Sequence, residues 1–175
     1  VNPDRETIEK LEIIKYPNAV LRKPTEKVTV FDENMNLLVL KMLELMHSNN
    51  GVGLAAPQVG LSLRLIVLNP TGKPEDDLAV CNIEFLESSG WAEAEEGCLS
   101  LPQVYGNVRR HQKVTIQGQD VKGKEFELKA ADILARILQH EADHLDGRLI
   151  IDRMSTIGKL SNRRQIKYLE ELAKE

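Results

Sequence analysis

The run His140-Glu141-Ala142-Asp143-His144 sets two imidazoles four residues apart, and on a helix that spacing projects both from one side, where a single metal ion can take both. Glu141 follows the first histidine, placed to accept a proton from a water the ion activates and to return it to a leaving group. The plain alternative is a helix with two solvated histidines. The chain holds only four histidines, so composition alone seldom produces the pattern.

A catalytic site of this kind needs a third protein ligand and an open position. The extended pattern H-E-x-x-H-x-x-G-x-x-H puts a histidine at position 150, which is Ile150, although Gly147 fits. Glu170 and Glu171 stand on the polar face of a charged terminal helix and read as solvated. Cys98 lies in Glu95-Glu96-Gly97-Cys98-Leu99-Ser100-Leu101-Pro102, where Gly97 permits a tight backbone path and Pro102 closes the segment, so a thiolate ligand fits there. His47 and His111 stay open as ligands but have no comparable context. Cys81, between Ala79-Val80 and Asn82-Ile83-Glu84-Phe85, reads as a buried strand residue.

These side chains need elements to hold them. Asp132 as N-cap, the apolar face Ile133, Leu134, Ile137, Leu138 and Leu145, and Gly147 as terminator predict the helix that carries the motif. Asp32 can cap an earlier helix over 34–47, with Met35, Leu38, Met42 and Leu45 at helical spacing and Asn49-Asn50-Gly51 to end it. A loop, Gly51-Val52-Gly53-Leu54-Ala55-Ala56-Pro57-Gln58, leads into a strand over 63–68 and a turn at Asn69-Pro70-Thr71-Gly72. A second strand is expected over 79–85. Residues 114–117 and 125–129 alternate apolar with polar around a turn-rich stretch and predict a hairpin. A last amphipathic helix over 161–173 turns Ile166, Leu169 and Leu172 inward and Arg163, Arg164, Lys167, Glu170 and Glu171 outward. Strands grouped between helices, without regular alternation, indicate an α+β fold.

With 175 residues and 42% apolar content, the chain fits one domain, 1–175, with one core. A net charge of -4 lacks the basic surplus that binding of nucleic acid requires. Two cysteines are too few for a secreted disulfide framework, which points to a cytoplasmic protein. Neither a signal-peptide core nor a membrane span is expected, and the missing initiator Met leaves open a trimmed tag or a removed organelle transit peptide.

Three segments, in this order, resemble the peptide deformylase family: Gly51-Val52-Gly53-Leu54-Ala55-Ala56-Pro57-Gln58, Glu96-Gly97-Cys98-Leu99-Ser100, and Gln139-His140-Glu141-Ala142-Asp143-His144-Leu145-Asp146-Gly147. The resemblance runs from Lys15-Tyr16-Pro17 through Ile151-Asp152. It implies antiparallel sheets packed around the motif helix, and hydrolytic removal of formyl from the N-terminal formyl-methionine of new polypeptides. It implies Cys98, His140 and His144 as ligands of one divalent ion, usually Fe(II), with zinc or nickel also able to occupy the site. Its partners would be N-formyl-methionyl nascent peptides, with transient contact to the ribosome. The Gln58 side-chain amide and the Leu99 backbone N–H would meet the negative charge that grows on the formyl oxygen. Arg136 departs from relatives that look apolar there, as does Cys81-Asn82-Ile83, where a proline often follows the asparagine.

Helix geometry puts Ile137 and Ile133 on the face of His140, where they could wall a pocket for methionine or simply pack the core. Val52 is a further candidate wall, and the backbone around Gly53 could pair with an extended peptide. Glu96 and Asp143 are candidates to orient the two imidazoles. Two rivals remain. An endopeptidase would more often use His or Glu as third ligand, and a structural zinc closed by Cys81, Cys98, His140 and His144 would lack the usual short cysteine spacing.

Overall fold

The computed structural model describes residues Val1–Glu175. In chain order its elements are α1 (Arg5–Glu9), α2 (Glu33–Ser48), β1 (Gly53–Ala55), β2 (Leu65–Leu68), β3 (Leu78–Ser89), β4 (Ala92–Cys98), β5 (Leu101–Arg110), β6 (Lys113–Gln119), β7 (Glu125–Ala131), α3 (Asp132–Leu145), α4 (Ile150–Arg153) and α5 (Thr156–Leu172). Five strands form an antiparallel sheet in the order β1-β2-β3-β6-β7, and β4-β5 form a separate two-stranded hairpin. The fold is the expected α+β arrangement, with the motif helix α3 against the larger sheet and a helix at the C-terminal end.

All four residues of β2, Leu65-Ile66-Val67-Leu68, are buried because the sheet is covered on both faces. Successive strand side chains point to opposite sides. Leu65 and Val67 therefore meet Met35, Leu38, Met42 and Met46 of α2, while Ile66 and Leu68 meet Ala135, Ile137, Leu138, Ala142 and Leu145 of α3. Truncating one of these fully buried Leu or Met side chains to Ala costs about 2–5 kcal/mol. A third core under α5 gathers Leu101, Val104 and Val108 of β5 with Leu149, Ile150, Met154 and Leu169. Asp32 caps α2 as expected, accepting from the Met35 N–H at 3.0 Å.

Several boundaries move. The strand expected over 63–68 begins at Leu65, because Leu63 is spent on a parallel bridge from its neighbourhood to Glu26. The second strand runs on to Ser89, past two bulges, and the 114–117/125–129 hairpin lengthens to β6 and β7. Asp132 does not cap α3. It is the first helical residue, at φ 55, after Ala131 in the cap position, and its carboxylate accepts from the Gln112 amide at 3.3 Å. The last helix starts at Thr156 rather than 161, since Ser155 caps it through the Gly158 N–H at 3.1 Å. Ser161, which resembles a cap, bonds back to the Ile157 carbonyl at 2.9 Å. Asn162 and Leu169 face inward and Ile166 is half-buried, but Leu172 is exposed, one turn beyond the packed stretch. The hairpin β4-β5 was not anticipated. No helix is long and apolar enough to cross a membrane.

Candidate active site

Two supports meet at the site. Helix α3 presents His140 and His144 with ring centroids 5.2 Å apart. Cys98 ends β4, pairs with Leu101 of β5, and leaves Leu99 and Ser100 as a two-residue turn. That turn carries the thiol to the helix: Cys98 Sγ lies 3.4 Å from His144 Nε2. One ligand atom from each of Cys98, His140 and His144 lies within 4.8 Å of the others. The other candidates lie apart. Cys81 is wholly buried in the α2 core, so the Cys₂His₂ arrangement does not form. His47 pairs with Asp77 at 2.7 Å, His111 stacks on Trp91 at 4.0 Å between centroids, and Glu170 accepts from the Tyr16 hydroxyl at 2.7 Å rather than standing free in solvent.

Glu96 fixes which nitrogen of His140 faces the cluster. Its Oε1 contacts His140 Nδ1 at 2.9 Å, which leaves Nε2 free. Arg110 donates to the same carboxylate through Nε at 3.0 Å and a terminal nitrogen at 2.9 Å, and Arg136 through another at 2.6 Å. Burial would raise the Glu96 pKa, but the hydrogen bonds from His140 and Arg110 outweigh it and hold the carboxyl well below its usual range. Asp143 does not orient a histidine. It pairs with Arg110 at 2.6 Å and with Arg153 at 2.8 and 3.0 Å. Arg110 was missed in the sequence, although strand parity places it on the inward side with Val104 and Val108.

The cluster suits a cation. Burial disfavours protonation of His140, yet Cys98 and Glu96 reverse this and raise its pKa well above the usual value. Groups that draw a proton to an imidazole draw a metal ion to the same place, with release of protons on binding. Burial, reinforced by charge on His140, pushes His144 the other way, toward the neutral form that ligates. Glu141 Oε2 is buried without a partner, and burial raises the Glu141 pKa to about 7. Glu141 Oε1 lies 3.9 Å from His140 Nε2. Gly53 of β1 makes room for this carboxylate, because a Cβ there would sit 2.5 Å from Glu141 Oε1.

In front of the cluster opens a cleft of about 590 Å³, a size that admits a small ligand or the end of a peptide. Cys98, His140, Glu141, Gln58, Leu99, Val52, Gly53, Ile133 and Ile137 all line it, whereas His144 lies behind, 1% exposed. Ile137 is buried against the core, whereas Ile133 and Val52 stand about half-exposed at the rim, so Ile133 is not part of the packed face of α3. Gln58 is held at both ends of its amide. Its Oε1 accepts from the Ala55 N–H at 2.9 Å, which turns Nε2 toward Ser100 Oγ at 3.2 Å and Cys98 Sγ at 3.5 Å. The buried Ser100 is a second residue the sequence did not single out. The Leu99 N–H donates to no backbone carbonyl, while the Leu99 carbonyl accepts from Lys15 Nζ at 2.8 Å. A hollow of similar size over β3, β6 and β7, lined by Glu87, Lys113, Thr115 and Lys129, offers no comparable chemistry.

The family profile described as polypeptide deformylase matches residues 10–160. A peptide deformylase of Thermodesulfovibrio yellowstonii is 42% identical over 159 residues, spanning 90% of this chain and 96% of that protein. Peptide deformylase 1B of Arabidopsis thaliana, chloroplastic or mitochondrial, is 39% identical over 164 residues, which is 92% of this chain and 60% of that longer protein. Among solved structures, peptide deformylase from Plasmodium falciparum superposes with a TM-score of 0.91 at 38% identity, covering 93% of this chain and 97% of the other.

Proposed function

The chain belongs to the peptide deformylase family, the metal-dependent hydrolases that take the formyl group from the N-terminus of new polypeptides, and from that premise we propose how its own residues divide the work. Residues 1–175 act as one catalytic domain. Cys98 through Sγ, and His140 and His144 each through Nε2, hold one divalent ion, Fe(II) in the cell, with zinc and nickel able to replace it. When bound, the ion supplies Lewis acidity: it makes water a nucleophile near neutral pH and draws electron density from the formyl oxygen.

Glu141 accepts the proton released as water attacks the formyl carbon, and passes it to the amine nitrogen as the C–N bond breaks, leaving formate and a free N-terminal methionine. Its burial and raised pKa suit a group that must hold a proton between those two events. Gln58 Nε2 and the Leu99 N–H donate to the oxygen on which charge develops. Such donors act because they are fixed in place before the reaction, and the Ala55–Gln58 bond fixes one of them. Ile137, Ile133 and Val52 take up the methionine side chain, and β1 at Gly53, an edge strand beside the cleft, pairs with the backbone that follows it. The substrates are formyl-methionyl ends of nascent chains, met in transient contact with the ribosome, in a bacterial-type cytoplasm or in an organelle of that descent.

One observation carries this reading: a thiol and an imidazole at the floor of a cleft converge with a second imidazole just behind it, and a buried carboxylate lies beside them. The test is hydrolysis of a formyl-methionyl dipeptide beside its acetyl analogue, on protein purified without oxygen and analysed for metal. Turnover of the formyl peptide alone, in proportion to bound ion, is expected. No turnover with iron, nickel, cobalt or zinc would overturn the assignment of roles. Admitting air should abolish activity of the iron form and spare the nickel form, since iron and its thiolate oxidise; a zinc-only protein fully active in air would remove Fe(II) alone.

A further inference from the structure

Arg136 lies one helical turn before His140, and the reaction makes no use of it. Its side chain is 11% exposed. One terminal nitrogen donates to Glu96 Oε2 at 2.6 Å and to the Val108 carbonyl at 2.8 Å, and the other donates to the Ala92 carbonyl at 2.8 Å. Positions i and i+4 of α3 thus close on one carboxylate of β4, with Arg136 at Oε2 and His140 at Oε1. The same guanidinium holds both strands of the hairpin, β4 at Ala92 and Glu96 and β5 at Val108.

The split origin of the ligands gives this contact its importance. Cys98 comes from the hairpin, whereas both histidines come from α3, which packs on the other sheet. No strand ladder sets the distance from Sγ to the imidazoles, and the side chains that cross between the two supports are Gln139, on both backbone groups of His111 just past β5, the Arg110–Asp143 pair, and the groups on Glu96. Arg110 bonds Glu96 from within the hairpin and reaches the helix only through Asp143. Of the helix groups on Glu96, His140 is itself a ligand, and Arg136 is the hold that is not.

We propose that Arg136 is a positioning residue that fixes α3 against the β4-β5 hairpin, so that the two imidazoles and the Cys98 thiolate stay within reach of one ion. Three acceptors lying in two directions call for a rigid planar fork, which a lysine cannot supply. An apolar side chain at this position would fill space and leave Glu96 Oε2 to Arg110 alone. Loss of such a supporting contact typically weakens metal binding about 10- to 100-fold.

The inference rests on the ligand set proposed above, and the experiment separates the two. Wild type, Arg136→Met, Arg136→Lys and Cys98→Ala are loaded with cobalt(II), and release into a chelator is timed at 25 °C. The thiolate-to-cobalt absorption and the unfolding temperature of the metal-free forms are recorded beside it. Release is expected to be about 10- to 100-fold faster in Arg136→Met, with a smaller increase in Arg136→Lys and a shifted absorption band in both. The metal-free forms should unfold within a few degrees of wild type. Release within twofold of wild type in Arg136→Met overturns the proposal, and so does faster release that merely tracks a collapse of metal-free stability. If Arg136→Met does not fold, Arg136→Lys decides, since it keeps the charge and loses the fork; wild-type release there overturns the proposal. A Cys98→Ala protein that keeps cobalt at the wild-type rate would sink the ligand set instead.

Discussion

Gly53 cannot carry a side chain while the Glu141 carboxylate keeps its place. Glu141→Gln keeps the shape that Gly53 accommodates but cannot accept a proton, so metal content should hold while kcat falls about 10²- to 10⁴-fold. Activity near wild type would remove Glu141 from proton transfer. Gly53→Ala should push the carboxylate from its place, because the new methyl would lie 2.5 Å from Oε1, and kcat should fall without loss of fold as read by circular dichroism. Gln58→Ala should lower kcat rather than raise KM, by about 2.7–4 kcal/mol in the barrier if its amide acts only on developing charge. The opposite pattern would make it a contact for the bound substrate. The three residues of the candidate metal site were legible in the sequence because their signal is local: four-residue spacing for the histidines and a glycine before Cys98. Arg110 and Ser100 were not, since each acts through a partner distant in sequence, Glu96 and Asp143 for one and Gln58 for the other.

The elements were readable where an apolar period was unbroken. Helix α2 and the β6-β7 hairpin carry their pattern in the sequence, and both lie near where the spacing predicts. Strands β4 and β5 did not announce themselves. Ala92–Cys98 is rich in Glu because only one face of a small hairpin is covered, and β5 places Arg110 where an apolar residue is expected. The start of α5 was hidden by Gly158 and by Ser161, whose hydroxyl bonds within the helix. At the other end of α3, Gly147 adopts φ 72 with its would-be Cβ pressed on the Arg22 carbonyl, so Gly147→Ala should lower the unfolding free energy, read from the denaturant midpoint, by well over the ~1 kcal/mol that a backbone conformation alone costs. The start of the chain is tied to α5 by the Tyr16 hydroxyl, which donates to Glu170 at 2.7 Å. Burial, and then that hydrogen bond, raise the Tyr16 pKa from 10.0 to about 12. A pKa raised in the folded state means stability that is whole below pH 10 and is lost as pH climbs toward 12. Urea midpoints followed through that window should fall more steeply in wild type than in Tyr16→Phe; equal slopes would break the link.

Across the whole molecule there are three cores: those under α2 and α3 lie on opposite faces of the same strands β1, β2 and β3, while the third, under α5, shares no strand with either. An ion held by Cys98, His140 and His144 ties the second to the third. Stripping it should therefore cost global stability. At an ion concentration 100 times its dissociation constant the linkage amounts to about 2.7 kcal/mol. For a chain of this size that is roughly 5–11 °C in Tm, at about 2–4 °C per kcal/mol. Cys98→Ala should lose both the ion and the shift, whereas Cys81→Ala, in a different core, should keep them.

The tip of the β4-β5 hairpin, where Leu99 and Ser100 reverse the chain, is bonded into no neighbouring sheet. Its carbonyls accept from the Tyr16 N–H and from Lys15 Nζ, both at 2.8 Å, so opening it would break bonds to the first segment of the chain and none to β2, β3 or β6. Amide protons of Glu96 through Val104 should then exchange with deuterium on a clock set by ion occupancy, fast in the stripped protein and slow in the loaded one. Those of the central sheet should keep one pace in both. Opening of the hairpin tip would thereby set the rate at which the protein takes up or surrenders its ion, so that ion exchange in the cell is governed by a local opening rather than by unfolding.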